Sequence, residues 1–230
     1  MNSNAYIVTG SHLVLMVNNR TYTVSSDHPN YSSIKDALKV QDWDTAVSLV
    51  NVSDSINKAG KGTITVSGGV VLYKGEAIHN SLTSRILRMM SEGFDISPMI
   101  AFMENLMQNP SGRAVTELYR FLESNSLPIT EDGYFLAYKN VRQTYMDWHS
   151  NTFDNSVGKT CKMERNQVMD DPNKTCSAGL HFCSIGHLKD FNEDSSRTVI
   201  LRINPKDVVS IPTDYNNSKG RCSEYEVIGE

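Results

Sequence analysis

The sequence predicts an α+β fold, with a strand-then-helix region over residues 1–128 and a mostly antiparallel β region over residues 129–230. Apolar residues alternate with polar ones near the N-terminus and again through the last third of the chain, which is typical of strands. Between these parts, three long segments within residues 79–125 carry apolar residues at helical spacing. Turn-forming residues around Pro128 separate the helical pattern from the strand pattern that follows.

The composition is that of an ordinary globular protein. The chain has 230 residues, of which 39% are hydrophobic and 21% are charged, and its formal net charge is −4. A chain of this length can bury a sizeable core, and this composition is too apolar for disorder. The sequence has no apolar run long enough to span a membrane, no secretory signal at its start and no strongly basic footprint. We therefore expect a soluble, cytosolic protein with no membrane span and no strong nucleic-acid signature.

The N-terminal region predicts a small antiparallel meander followed by short helices. Three alternating segments with a tight turn at Asn18-Asn19 predict strands at residues 6–8, 13–17 and 21–24. Helical spacing then predicts a helix that Ser32 or Ser33 could cap, one that begins at Trp43 and one that Ser53 could cap. Residues 60–76 predict a hairpin that turns at Gly68-Gly69.

Three longer helices are predicted next, and each carries one apolar stripe: residues 79–92, 96–108 and 112–125. The stripes of the first two are rich in methionine, which fills irregular cores but also forms adaptable partner surfaces. We favour the core interpretation. On the alternative, the helix at 96–108 would form the face of a homo-oligomer.

The C-terminal region predicts five strands and one short helix. The strands are expected at residues 134–141, 179–184, 198–203, 207–211 and 223–228. The helix is expected at residues 185–191, directly after the Gly-Leu-His-Phe-Cys-Ser strand.

All four cysteines lie in the last third of the chain: Cys161, Cys176, Cys183 and Cys222. Their density is too low for a disulfide scaffold, so we expect reduced thiols. Cys176, His181 and Cys183 are the tightest potential zinc ligands, but their spacing is not that of a standard zinc site. We expect buried structural thiols, no metal and no cofactor.

Common catalytic motifs are missing from the sequence. It has no Walker loop, no G-x-G-x-x-G, no H-E-x-x-H and no G-x-S-x-G. The most easily recognised nucleotide-hydrolysing, dinucleotide-binding, metalloprotease and serine-hydrolase classes are therefore excluded.

The strand at residues 179–184 holds the most informative candidate. Its alternation places Leu180 and Phe182 on one face and His181 on the other, and Ser184 is placed to cap the next helix. This arrangement can bring His181 to the rim of a pocket. The alternative is a structural histidine that bonds to a neighbouring strand.

Further candidates lie on the neighbouring predicted elements. Tyr138 and Lys139 belong to a strand without clean alternation, which indicates burial on both faces, although Lys139 could equally be a surface lysine. Trp148 and His149 could stack on a ring, or Trp148 could simply pack. Glu226 shares a face of the last strand with Glu224, which suits acid–base chemistry or a solvated edge.

Several long blocks resemble bacteriophage proteins of the rIIB-like family. The blocks are LPITEDGYFLAYKNVR, DNSVGKTCKMERNQVMDDPNKTCSAGLHFCS, VVSIPTDYNNSKGR and YEVIGE, preceded by the helical stretch from HNSLTSRILRMM to LYRFLE. The resemblance spans most of the chain. It implies a phage origin, a location in the host cytoplasm and an accessory role at the phage–host interface, and it nominates no catalytic residue.

The order of the C-terminal elements is also similar to that of ADP-ribosyltransferase-like folds, which hold NAD in a split between two sheets. This resemblance would place Tyr138 or Lys139, His181, Ser184 and Glu226 around the cleft. The arginine or histidine usual on the first strand of such folds is not evident, which puts catalysis in doubt.

These observations leave three functional hypotheses. We favour a phage protein that counteracts host antiviral defence by sequestering a nucleotide-derived signal or a host defence protein, without turnover. The first alternative is an enzyme that processes NAD or another nucleotide, with His181 and Glu226 as catalytic residues. The second alternative is an oligomeric structural or assembly protein.

Overall fold

The chain packs into two compact units: residues 1–79 with 83–97, and residues 80–82 with 98–230. A computed structural model describes residues 4–26, 28, 30–50, 63–67, 70–78, 80–92, 94–188, 196–213 and 217–230. Helices and antiparallel sheets alternate along the chain, so the predicted α+β class is confirmed.

The first unit begins with a three-stranded antiparallel meander: β1 (Ala5–Val8), β2 (His12–Val17) and β3 (Arg20–Ser25). Asn18 and Asn19 join β2 to β3 with φ values of 49° and 62°. Asparagine tolerates this left-handed region, and two such residues form the hairpin turn whose twist matches that of the strands. The predicted meander is confirmed.

Two helices cover this meander: α1 (Tyr31–Lys39) and α2 (Trp43–Val50). Their buried Ile34, Leu38 and Ala46 form one cluster with Leu13 and Leu15 of β2. α1 begins after Asn30, so the predicted capping serines lie within its first turn. The third predicted short helix, near Ser53, lies outside the described residues.

A second three-stranded sheet and a helix follow: β4 (Ile64–Ser67), β5 (Val70–Tyr73), β6 (Glu76–Ile78) and α3 (Ser81–Ser91). β4 and β5 confirm the predicted hairpin, while its turn at Gly68-Gly69 lies outside the described residues. β6 was not predicted. It follows a turn at Lys74 and Gly75, which both have positive φ.

The second unit begins with two helices, α4 (Ser97–Leu106) and α5 (Gly112–Ser124). The hydroxyl of Ser111 accepts a hydrogen bond from the Ala114 amide at 3.2 Å, which caps α5. Met99 and Met103 of α4 are buried, so the methionine-rich stripe of this helix is core rather than an exposed oligomer face.

Seven strands form the large sheet of the second unit. They are β7 (Phe135–Arg142), β8 (Thr160–Lys162), β9 (Leu180–Cys183), β10 (Ser196–Ile203), β11 (Val208–Ser210), β12 (Lys219–Cys222) and β13 (Glu224–Gly229). Their order is β11-β12-β9-β7-β10-β13-β8, and every pairing among them is antiparallel. The five predicted strands are confirmed, whereas β8 and β12 were not predicted.

The helix after β9, α6 (Ile185–Leu188), is present where a helix was expected, and the rest of the predicted span lies outside the described residues.

α4 and α5 belong to the same unit as the large sheet. Phe121 of α5 packs edge-on against Phe182 of β9, with ring centroids 5.7 Å apart. The division between the units therefore falls near residue 97, and the predicted region boundary at residue 128 lies inside the second unit.

β7 and β9 diverge within the large sheet. β7 pairs with β10 along its whole length, from Phe135↔Ile203 to Arg142↔Ser196. Among the described residues, β7 pairs with β9 only at Tyr138↔Cys183. The two strands therefore separate on the Arg142 side of Tyr138, and a gap opens between them.

Gly220 of β12 lies directly against a core ring. A Cβ atom at this position would lie 2.2 Å from the ring of Phe182. That ring also packs edge-on against Phe135, with centroids 5.5 Å apart, so it has little room to move. Only glycine fits here without a shift of the Phe182 ring or of the strand.

We expect Gly220→Ala to destabilise the second unit by about 1–3 kcal/mol, the usual cost of overpacking a core. Gly112→Ala is the matched control, because a Cβ on this first residue of α5 meets nothing within 4 Å. The control should unfold at an equal or slightly higher denaturant concentration. Urea unfolding measures both variants, and equal midpoints for the two would contradict the packing argument.

Candidate functional site

The second unit contains a cavity of about 570 Å³ on the side where β7 and β9 diverge. This volume is in the range of small-molecule sites, about 300–1,000 Å³. Five of the predicted site residues line it: Tyr138, Lys139, Trp148, His149 and His181. Tyr138 and Lys139 are consecutive and would face opposite sides of a continuous sheet, so both can reach one cavity only because the sheet opens beside them.

Strand register determines the cavity floor. Lys219 of β12 pairs with Cys183 of β9, and Cys183 pairs with Tyr138 of β7. Residues opposite each other on paired strands share a face, so these three side chains form one row. Cys183 is the middle residue of this row, between Lys219 and Tyr138.

His181 lies beside this row, opposite Arg221 of β12. The Arg221 Nε donates a hydrogen bond to the His181 Nε2 at 3.3 Å, which requires that Nε2 carry no proton. Burial lowers the pKa of His181 to about 3, and the nearby charges of Lys139 and Arg221 add to this shift. His181 is therefore a neutral imidazole at pH 7.

Lys139 lies where β7 and β9 separate. Its ammonium donates a hydrogen bond to the backbone oxygen of His181 at 3.0 Å and lies 5.8 Å from the ring centroid of Tyr225. Burial lowers the pKa of Lys139 below its ordinary value. The side chain thus bridges the gap between the two strands.

Three of the four cysteines are buried, as expected: Cys161, Cys183 and Cys222. Cys176 is exposed and lines the cavity, so the prediction of a buried thiol is wrong for this residue. Burial raises the pKa of the Cys183 thiol to about 12, so this thiol stays protonated at neutral pH. Within the part of the chain that the structure describes, there is no group of three His, Cys, Asp or Glu side chains that could hold a metal ion.

Asp147 organises the loop that forms another wall of the cavity, a role that was not predicted from the sequence. Its carboxylate accepts hydrogen bonds from the amides of Ser150 at 2.7 Å, Thr152 at 2.9 Å and Phe153 at 2.9 Å. Burial acts to raise the pKa of Asp147, but these backbone bonds outweigh it and hold the pKa well below its usual value. An aspartate followed three residues later by serine is the signal that could have revealed this loop.

Arg142 fixes Trp148 in this loop. Its guanidinium donates to the backbone oxygens of Asp147 at 3.2 Å and Trp148 at 2.9 Å, and stacks on the Trp148 ring at 4.8 Å. The indole is therefore held from one side at the cavity wall. His149, the next residue, is exposed at the same wall.

Arg221 fixes the segment that leads into the remaining wall. Its fully buried guanidinium donates to the backbone oxygens of Met169 at 3.1 Å, Asp171 at 3.2 Å and Thr175 at 3.0 Å, and also to that of Lys174. Thr175 and the residues after it line the cavity. Arg221 was not predicted from the sequence, because a basic residue in a short polar segment has no distinctive pattern.

Two predicted residues lie outside the cavity lining. Ser184 is buried directly before α6, and its amide donates to the backbone oxygen of Ser218 at 2.9 Å. Glu226 forms an ion pair with Arg202 at 3.2 Å. Its neighbour Tyr225 lines the cavity, so alternation along β13 directs Glu226 to the opposite face. The structure therefore does not bring His181 and Glu226 together in one site.

We expect the stability of the protein to depend on pH through His181. The unfolded histidine has a pKa of about 6.5 and the folded one about 3, so the unfolded state binds the extra proton between these values. The free energy of unfolding therefore falls as the pH falls through this window, by at most about 1.4 kcal/mol per pH unit from this group. His181→Gln should reduce the slope of the free energy of unfolding against pH.

Urea unfolding at a series of pH values between about 4 and 7 measures these slopes. Met163→Leu is the matched control, since it changes another lining side chain without removing a titrating group. The control should keep the parent slope. An equal slope for His181→Gln and the parent would show that the folded histidine is not held neutral.

Comparison with known proteins identifies the family. A family model described as "Bacteriophage T4 protein rIIB" matches residues 3–230. The chain is 42% identical over 215 residues to protein rIIB of Enterobacteria phage T4, an alignment that covers 93% of this chain and 69% of that protein. No solved structure matches, and none of the helices among the described residues is long and apolar enough to cross a bilayer. The chain belongs to the bacteriophage T4 rIIB family.

Proposed function

We propose that this phage accessory protein binds a small nucleotide-derived molecule of the host in the cavity beside the β7–β9 gap, and sequesters it without turnover. Removal of such a signal would counteract host antiviral defence in the host cytoplasm. The observation that carries the proposal is the composition of the cavity wall, where aromatic rings and cationic side chains face a single volume of about 570 Å³.

The aromatic part of the lining suits a planar base. Trp148, Tyr138 and Phe153 all line the cavity. Stacking of a base on an aromatic side chain typically contributes about 1–3 kcal/mol. Arg142 covers the Trp148 indole and fixes the loop backbone on either side of it, so the ring needs little ordering when a ligand binds.

The charged part of the lining suits an anion. Lys139 and Lys219 line the cavity, and both act to lower the pKa of His181, as does His149. Asp147 is the acidic residue of the lining, and its oxygens already accept three backbone amides. The electrostatic balance of the wall therefore favours a negatively charged molecule.

The titratable groups at the cavity floor favour binding over catalysis. His181 has a pKa of about 3, far from the value near 7 that suits a general acid or base. Cys183 has a pKa of about 12, so its nucleophilic thiolate is scarce. Glu226, the other catalytic candidate, faces away and pairs with Arg202. These features support stoichiometric capture rather than processing of NAD.

We expect at least one nucleotide probe to raise the melting temperature of the full chain and to be recovered chemically unchanged. The panel contains NAD, ADP-ribose, cyclic ADP-ribose and cyclic di- and trinucleotides. A ligand at 100 times its Kd adds roughly 2.7 kcal/mol to the free energy of unfolding. Mass spectrometry of the same sample separates capture from turnover, and a new product would overturn sequestration.

We also expect Trp148→Ala to weaken binding of that probe by about 5- to 150-fold, the equivalent of one lost stacking contact. Phe94→Ala is the control, because Phe94 is an aromatic residue that is 60% exposed and belongs to the other unit. Titration calorimetry compares the two variants with the parent. Equal affinities for parent and Trp148→Ala would contradict the role of the aromatic wall.

A further inference from the structure

Lys139 has hydrogen-bonding capacity that the described protein does not use. A lysine ammonium carries three N–H donors. Among the described residues, the Lys139 ammonium donates one hydrogen bond, to the backbone oxygen of His181, and contacts the face of the Tyr225 ring. Two donors are thus left for a group inside the cavity that Lys139 lines.

No carboxylate of the described residues forms an ion pair with this ammonium. Asp147 is the acidic group of the same cavity, and its oxygens accept the amides of Ser150, Thr152 and Phe153 instead. A partly buried ammonium without a counter-charge is less favourable than one paired with an anion. An incoming anion would remove that cost.

The groups around the Lys139 ammonium do not supply a negative charge that would balance it. They come from β9, β12, β8, β13 and the Asp147 loop, and the titratable ones are His181, Cys183, Cys222, Cys161, Tyr225 and Asp147. The thiols of Cys183 and Cys222 are held protonated by burial, which raises the pKa of each. His181 is neutral, because its Nε2 accepts a hydrogen bond from Arg221.

We propose that the floor of the cavity, where β7 and β9 separate, is an anion subsite in which Lys139 binds an anionic oxygen of a phosphoryl or carboxyl group. The inference rests on the proposed function and deepens it, since it assigns the charged end of the ligand to one residue. Lys219, on the row that contains Cys183 and Tyr138, also lines the cavity and adds positive charge to it. The planar end of a nucleotide would then extend toward Trp148.

Two small probes test the subsite without the rest of a nucleotide. Inorganic pyrophosphate represents the phosphoryl source and succinate the carboxyl source, and each is titrated calorimetrically into the full chain. We expect one of the two to bind, and we expect Lys139→Met to weaken its binding by about 10- to 100-fold, because a hydrogen bond to a charged group is lost. The probe that binds with the higher affinity shows whether the subsite prefers a phosphoryl or a carboxyl group.

Lys159→Met is the matched control. It makes the same change of charge in the same unit, at a side chain that is 60% exposed and outside the cavity lining. It should bind the probe within about twofold of the parent. Lys139→Met should melt no lower than the parent, because a thioether of similar length replaces a partly buried ammonium that has no ion pair among the described residues. Lys139→Gln serves as the second variant if the methionine variant does not fold.

The outcomes separate this inference from the proposed function. Equal probe affinity for parent and Lys139→Met, or no binding of either probe, would overturn the anion subsite. A phosphate-bearing nucleotide that binds parent and Lys139→Met equally would also overturn it, while the cavity proposal would stand. Loss of pyrophosphate binding in Lys139→Met, with no nucleotide bound by the parent, would support the subsite and reject nucleotide sequestration.

Discussion

The buried guanidinium of Arg221 is the interaction on which the site depends. Arginine keeps its charge at any physiological pH, so its burial is tolerable only if its donors find acceptors. Arg221 meets this requirement with backbone oxygens of the segment from Met169 to Thr175 and with the ring of His181. One side chain therefore holds a loop against β12, fixes the protonation state of His181 and positions the start of a cavity wall. Gly179 shares this constraint, since a Cβ there would lie 3.1 Å from the Cδ of Arg221.

The cavity results from an interruption of the sheet rather than from a groove between elements. β7 keeps its full pairing with β10 but meets β9 at one pair, so side chains from both faces of β7 reach a single volume. Charged side chains that form hydrogen bonds with the backbone hold the walls of the cavity. Arg221 holds the segment at residues 169–175, and Arg142 and Asp147 hold the loop that carries Trp148. Such walls need little rearrangement to receive a ligand, which is the property that tight sequestration requires.

Much of the fold could be predicted because its strands and helices carry regular apolar periods. The meander, α1, α2, the three longer helices and five strands of the large sheet all follow such patterns. β12 was missed because Lys-Gly-Arg-Cys has no alternation, although all four residues are buried. Its burial depends on partners that are far away in sequence: Phe182 above Gly220, and the carbonyl groups around Arg221. The role of Asp147 was missed for a different reason: its partners lie nearby in sequence, but they are backbone amides, which the residue types do not reveal.

The amino-acid sequence alone was enough to establish the α+β class, most element positions, the family and the residue types available for a site. It determined them because periodicity, turn chemistry and long matching blocks are local properties of the chain. Which of the candidates share a cavity depends on how the strands pair in the folded chain. Tyr138, Lys139, Trp148, His149 and His181 come together, while Ser184 and Glu226 do not. Strand register explains this result. Pairing across β12, β9 and β7 aligns residues more than 80 positions apart, because Lys219 pairs with Cys183 and Cys183 pairs with Tyr138. Alternation along β13 directs Glu226 to the face opposite the cavity.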